Sequence, residues 1–358
     1  MRRNHIGRLA ALLVCTVLLL TSLVSCANLS GLSGDELRQY TALKSENYEI
    51  TGSMYAYLFL EAGAAYVSDI TEEELQEKGF DENKTLKEQK YDKKRSWYDY
   101  INEYVIEEAT SLILMCEAAS EAGITLTNED YAYVNDQLTD QRVRVVVRYQ
   151  IDYETYLKDR YSGYVTEEDL TKILLMETLA AKYAAHMEGE ILERMTEERI
   201  AAHVETMSFE NGKDEAITRN LGHMLASSMY YDEDQSYDNM KTAKDRFEKA
   251  GKTEDAWNTL WKEFSDDANA IYYNVRQGEM IADIDTWLYA EGRAVGDMGI
   301  IRTDDGCHLL CYLSDGDPGY IADAKSELTE IISHEIRDEL RARIKIKIKK
   351  NVTEAIDV

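Results

Sequence analysis

The chain has 358 residues, with 40 Lys and Arg against 68 Asp and Glu, a net charge of −28. A surface that acidic repels polyanions, which excludes nucleic acid as a partner and argues against binding to anionic lipid. Five cysteines without a Cys-x-x-Cys pair leave neither a disulfide framework nor a thiolate metal site in the sequence, and a single proline favours long helices.

Residues 1–26 read as a targeting segment rather than as part of the fold. Arg2, Arg3 and Arg8 form its basic start, and the apolar run 9–20 is too short to span a membrane comfortably as a mature helix. Leu23-Val24-Ser25-Cys26 resembles a bacterial lipobox. That resemblance implies a lipidated Cys26 as the first mature residue and a protein tethered to the outer face of the bacterial cell membrane, touching it through the anchor only. Cys15 falls inside the segment, leaving Cys116, Cys307 and Cys311. Cys307 and Cys311 on one strand would stand roughly 13 Å apart, too far to bridge, and all three are expected to be small buried hydrophobes.

Residues 27–46 are expected as a polar linker, followed by a Tyr-rich helix over 47–65 with Ile50, Met54, Tyr57, Leu58 and Leu60 along one stripe. Thr71-Glu72-Glu73-Glu74, Thr127-Asn128-Glu129-Asp130 and Thr166-Glu167-Glu168-Asp169 read as helix starts of the capping-box type. The spacing of Ile106, Ala109, Ile113 and Cys116 predicts a helix over 97–122 that stops at Gly123. Ile173, Met176, Ala180, Tyr183 and Met187 form a packed seam after Thr166. His186 and His203 have no ligand partners in the sequence and are taken as structural or exposed. A further helix is expected over 195–207, and a terminal one over 320–342 with Ala324, Leu328, Ile331, Ile332, Ile336 and Leu340 inward. In residues 343–350 Ile and Lys alternate, a pattern equally compatible with a short strand and with a basic helix.

Between these helices the pattern changes. His223 sits on a short apolar run, an amphipathic stretch occupies 241–250, and a Trp-rich one ends Phe264-Ser265-Asp266-Asp267. Gly278-Glu279-Met280 follows, then two strands around Thr303-Asp304-Asp305-Gly306, with His308 opening the second. Asp232-Glu233-Asp234-Gln235-Ser236 has the start of a calcium loop, but Tyr237 stands where glycine is needed and Ala243 where the bidentate glutamate belongs. It reads as a solvated acidic loop. No metal site and no cofactor motif are found in the sequence.

The succession of His223, Ser265-Asp266-Asp267, Gly278-Glu279-Met280 and Thr303…Gly306-Cys307-His308 resembles the parvulin-type (PpiC-like) peptidyl-prolyl isomerase domain over residues 219–314. Over the whole chain the resemblance is to PrsA/SurA-like extracytoplasmic foldases. It implies a mainly α fold with an α+β insert: a discontinuous helical chaperone-like domain from residues 47–211 and 319–350, and a parvulin-like domain with a small antiparallel sheet and flanking helices. It also implies a foldase and isomerase acting on unfolded or partly folded secreted polypeptides, or a holdase of the same shape that only binds them. Carried over by position, His223, Asp267, Thr303 and His308 would form the catalytic floor and Met280 the methionine wall of a proline pocket, with Ile284 and Trp287 expected to complete an apolar shelf beside it. Ile284 stands where the family carries a pocket Phe, and residues 268–277 lack the family's glycines.

Overall fold

A computed structural model describes residues 32–69, 75, 77–81, 83–210 and 212–356. Cys26, the targeting segment and the helix start expected at Thr71 lie outside these residues. The chain is mainly helical with two small antiparallel sheets, the class expected from the sequence. It divides into two compact units, one formed by the residues up to Glu190 with those from Ser333 onward, the other by Ile191–Ile332.

The first unit opens with α1 (Gly34–Gln39), begun by a capping box between Ser33 and Glu36. β1 (Thr41–Lys44) and β2 (Glu49–Thr51) pair antiparallel ahead of α2 (Gly52–Asp69). The linker expected over 27–46 is therefore structured from residue 32 onward, because Leu37, Ala42 and Leu43 are fully buried. The helix expected from residue 47 begins only at Gly52, and Ile50 is a strand residue. α3 (Trp97–Glu121) is capped by Ser96 and Asp99. It ends as its sequence requires, with Gly123 at φ 73°. Gly123 and Ile124 return their N–H groups to Ser120 and Ala119, closing the last turn.

α4 (Asn128–Tyr149) starts at the Thr127–Asp130 box, followed by α5 (Tyr153–Arg160) and α6 (Glu167–Arg194). Asp169 completes the Thr166 cap while also accepting from Ser53 Oγ at 2.7 Å and Arg38 Nε at 3.2 Å, so one buried carboxylate ties α1, α2 and α6.

In the second unit come α7 (Glu197–Val204), β3 (Ile217–Ser227), α8 (Glu233–Lys249), α9 (Glu254–Phe264) and β4 (Ile271–Val275). They are followed by α10 (Ala282–Leu288), β5 (Met298–Thr303) and β6 (Gly306–Pro318). The acidic run at Asp232 is a helix start rather than a loop: Asp232 caps α8 reciprocally with Gln235, and Glu233 and Asp234 favour the N-terminal end of its dipole.

α11 (Gly319–Arg343) carries the chain back to the first unit. Its inward residues are those expected except Ile331, which is exposed. The Ile/Lys tail resolves into β7 (Lys347–Ile348), paired with β1 on the side opposite β2, and a last turn α12 (Lys350–Thr353).

The four-stranded sheet runs β4-β3-β6-β5, antiparallel throughout. Alternation divides its side chains between two faces. Met224, Ala226, Cys307, Leu309 and Cys311 pack against Met240, Phe247, Trp257 and Leu260 of α8 and α9. Leu221, Leu310 and Tyr312 face the other way and pack with Ile284 and Leu288 of α10. Gly222 belongs to the first face, and a Cβ there would stand 2.8 Å from the Trp257 ring. Glycine lets the indole lie flat on the strand and donate at 2.8 Å to the Ala270 carbonyl, which also accepts the His223 N–H at 3.0 Å.

Candidate functional site

The two histidines come from adjacent strands. In the β3–β6 register His223 lies opposite Leu310 and Leu225 opposite His308, which makes the imidazoles diagonal neighbours on the α10 side of the sheet. His223 Nε2 and His308 Nδ1 are 2.8 Å apart, with ring centroids at 5.1 Å. Beyond His308, its Nε2 meets Thr303 Oγ1 at 2.7 Å. Thr303 closes β5 and pairs with Gly306 across the two-residue turn, so its hydroxyl is aimed back at the ring beside it. Beyond His223, its Nδ1 contacts Asp267 Oδ2.

Asp267 is held by its own loop. Ser265 ends α9 as its C-cap, and its hydroxyl accepts the Asp267 N–H and the Leu225 N–H, each at 3.1 Å. Asp266 N–H donates to the Leu225 carbonyl at 2.7 Å, and its carboxylate accepts from Ser227 N–H at 2.9 Å. The Ser-x-Asp element thus fastens the end of α9 to β3 at Leu225 and Ser227, just beyond His223. Tyr272, which the sequence reading did not single out, donates its hydroxyl to both Asp267 oxygens, at 3.1 and 3.0 Å.

One proton assignment makes every link a donor meeting an acceptor while Asp267 is ionised and both rings are neutral. Thr303 O–H donates to His308 Nε2, His308 Nδ1–H to His223 Nε2, and His223 Nδ1–H to Asp267. All the donors point toward the carboxylate. The histidines are 5% and 4% exposed, so this chain sits beneath the surface rather than on it. Burial pushes the His308 ring down to about 4, with the neighbouring His223 adding to it and Asp305 and Asp267 pulling weakly the other way. Burial raises the Asp267 carboxyl, but the hydrogen bond and charge of His223, with the Tyr272 hydroxyl, outweigh it and hold the group below its ordinary range. At neutral pH the floor carries one carboxylate and an uncharged His308.

On the same face lies an apolar shelf. Met280, Trp287, Tyr272, Tyr289 and Ile301 are partly buried against Leu221, Leu310 and Tyr312. Ile301 sits directly opposite His308 in the β5–β6 register, so shelf and polar chain are contiguous. Trp287 is pinned between Gly299, which has no Cβ to obstruct it, and the Arg293 guanidinium at 4.1 Å from its ring. Of the three expected wall residues, Met280 and Trp287 reach the open face, whereas Ile284 is 2% exposed and belongs to the core beneath it. Helical spacing puts Ile284 and Leu288 on the inward stripe of α10.

No family model and no curated protein matches the chain. Among solved structures, PrsA from Bacillus subtilis is 19% identical, with 69% of this chain and 78% of that one covered at a TM-score of 0.30. A chain from the Campylobacter jejuni SurA-like chaperones PEB4 and Cj1289 is 12% identical, with coverage of 87% and 99% and a TM-score of 0.25. Foldase PrsA from Streptococcus pneumoniae is 16% identical, with coverage of 72% and 92% and a TM-score of 0.25. Its structural neighbours are PrsA foldases and SurA-like chaperones. At these identities and scores the likeness says nothing of the chemistry, which rests on the side chains described above.

Proposed function

We propose that the chain is a membrane-anchored extracytoplasmic foldase that catalyses peptidyl-prolyl cis–trans isomerisation in unfolded or partly folded secreted polypeptides. The observation that carries this reading is the pairing, on one sheet face, of an apolar shelf with a hydrogen-bonded chain running from Thr303 to Asp267.

Isomerisation makes and breaks no covalent bond, so it needs no cofactor. The barrier of roughly 18–20 kcal/mol is amide conjugation. The planar amide carries more charge separation than the twisted one, so removing water from the carbonyl favours the transition state. Met280, Trp287 and Ile301 supply the dry surface for the ring. The hydrogen-bonded chain supplies a rigid floor in which the buried His308 is uncharged toward a neutral substrate. Anchoring would come from a lipidated Cys26, and no helix among the described residues is long and apolar enough to cross a membrane.

The alternative, a holdase that binds clients without catalysis, has one observation in its favour: with Ile284 withdrawn into the core, the proline wall rests on Met280 and Trp287. Refolding of a client limited by a slow proline step separates the two. An isomerase accelerates that step at a small fraction of the client concentration, and Met280→Ala weakens the acceleration mainly through KM. A holdase suppresses aggregation only near stoichiometric amounts and leaves the slow step unchanged, which would end the catalytic reading.

A further inference from the structure

Tyr272 lies in β4 opposite Leu221, and its ring stands edge-on to His223 at 5.6 Å and 74°. Its hydroxyl spans both oxygens of Asp267 rather than choosing one. Asp267 therefore has two side-chain donors, His223 and Tyr272, while the backbone N–H of Ala268 adds a third. A proton donor on a buried carboxylate stabilises its charge and reduces what remains to attract a second proton onto the imidazole beside it.

We propose that Tyr272 is a positioning residue of this site: its shared hydroxyl holds the Asp267 carboxylate in line with His223 and draws off part of its charge, so that the two imidazoles keep a single tautomer and Asp267 pulls less on a proton at His308. The consequence for catalysis rests on the isomerase reading; the consequence for the imidazoles does not.

The other charged and titratable groups facing the pair stay in place when the hydroxyl is removed. Asp305, on the β5–β6 turn, favours protonation of His308. The Asp266 carboxylate is occupied by the Ser227 N–H. Thr303 remains the donor to His308. Burial raises the Tyr272 hydroxyl above its usual value, which keeps it a donor across the neutral range. Tyr272→Phe retains the ring that packs with Leu221 and Leu310 and deletes only the oxygen.

The test is an imidazole-nitrogen NMR titration of the full chain, its Tyr272→Phe variant and a Tyr289→Phe control, whose lost hydroxyl donates instead to the Val275 carbonyl. With less of the Asp267 charge drawn off, Tyr272→Phe should let His308 take up its proton about one pH unit higher than the parent, about a tenfold change in proton affinity. The Tyr289→Phe control should track the parent. A Tyr272→Phe titration that overlays the parent, or an equal shift in Tyr289→Phe, overturns the proposal. Isomerase rates measured alongside keep the two readings apart. A shifted titration in a chain without activity would sink the isomerase reading and keep this one, and an active chain without the shift would do the reverse.

Discussion

Acidification from pH 7 to pH 4 should weaken the second unit, and His308 sets the size of the loss. Its ring lies at about 4 in the folded chain against 6.5 in the unfolded reference, first because it is buried and then because His223 stands beside it. Between those values the unfolded chain binds a proton that the folded chain refuses. The stability is therefore whole above about pH 6.5, declines as pH falls through the window, and stops declining from this source below about pH 4. The gap corresponds to about 3 kcal/mol at 1.36 kcal/mol per unit. Solvent screening removes little of it, because the residue is 4% exposed. Urea titrations followed by tryptophan fluorescence read this unit, since Trp257, Trp261 and Trp287 lie within Ile191–Ile332 and only Trp97 lies outside. The parent should lose about 3 kcal/mol between pH 7 and pH 4, and His308→Gln should lose correspondingly less. A parent whose stability is flat over that range, or a His308→Gln variant with the full loss, would refute the assignment of a buried neutral imidazole.

Three further outcomes are expected. Gly222→Ala drives a methyl group to 2.8 Å from the Trp257 ring and should destabilise the second unit by about 1–3 kcal/mol in the same urea assay; an unchanged midpoint would mean the indole does not rest on that strand. Replacing Ile191–Ile332 by a short Gly/Ser linker should leave a cooperative helical unit by circular dichroism, whereas a melt without a transition would show that the first unit cannot stand alone. Cys26→Ala should release the protein from membranes or block its processing, and an unmodified N-terminal mass in the parent would end the anchor proposal.

The residues of the polar chain were legible through the resemblance to the parvulin-type domain, which carried His223, Asp267, Thr303 and His308 over by position; no one of them stood out alone, and their order along the chain is what marked them. Thr127 and Thr166 announced their helices through a carboxylate three residues on, and both caps form. What could not be read depended on partners distant in sequence. Leu37, Ala42 and Leu43 sit in a polar stretch yet are fully buried, and the strand that pairs with β1 at Leu43 comes from the far end of the chain. Tyr272 was hidden for a similar reason. Tyr272 and Tyr273 are equivalent in the sequence, and only the β3–β4 register, which shifts between Arg219 and Leu221, turns one toward Asp267 and leaves the other 64% exposed. Asp232–Ser236 was misread because acidic residues that suit a loop suit the first turn of a helix equally well.

The most direct measurement is the cis–trans exchange rate of a short proline-containing peptide, followed by NMR exchange with the full chain at a few per cent of the peptide concentration. Uncatalysed exchange takes tens to hundreds of seconds, and lowering the barrier by about 4 kcal/mol would bring it roughly a thousandfold faster. Acceleration by the parent, reduced by Met280→Ala and by Asp267→Ala, is the result expected of an isomerase built on this sheet face. Exchange at the uncatalysed rate, with the peptide demonstrably bound, would contradict it and leave a chaperone that holds proline segments without turning them.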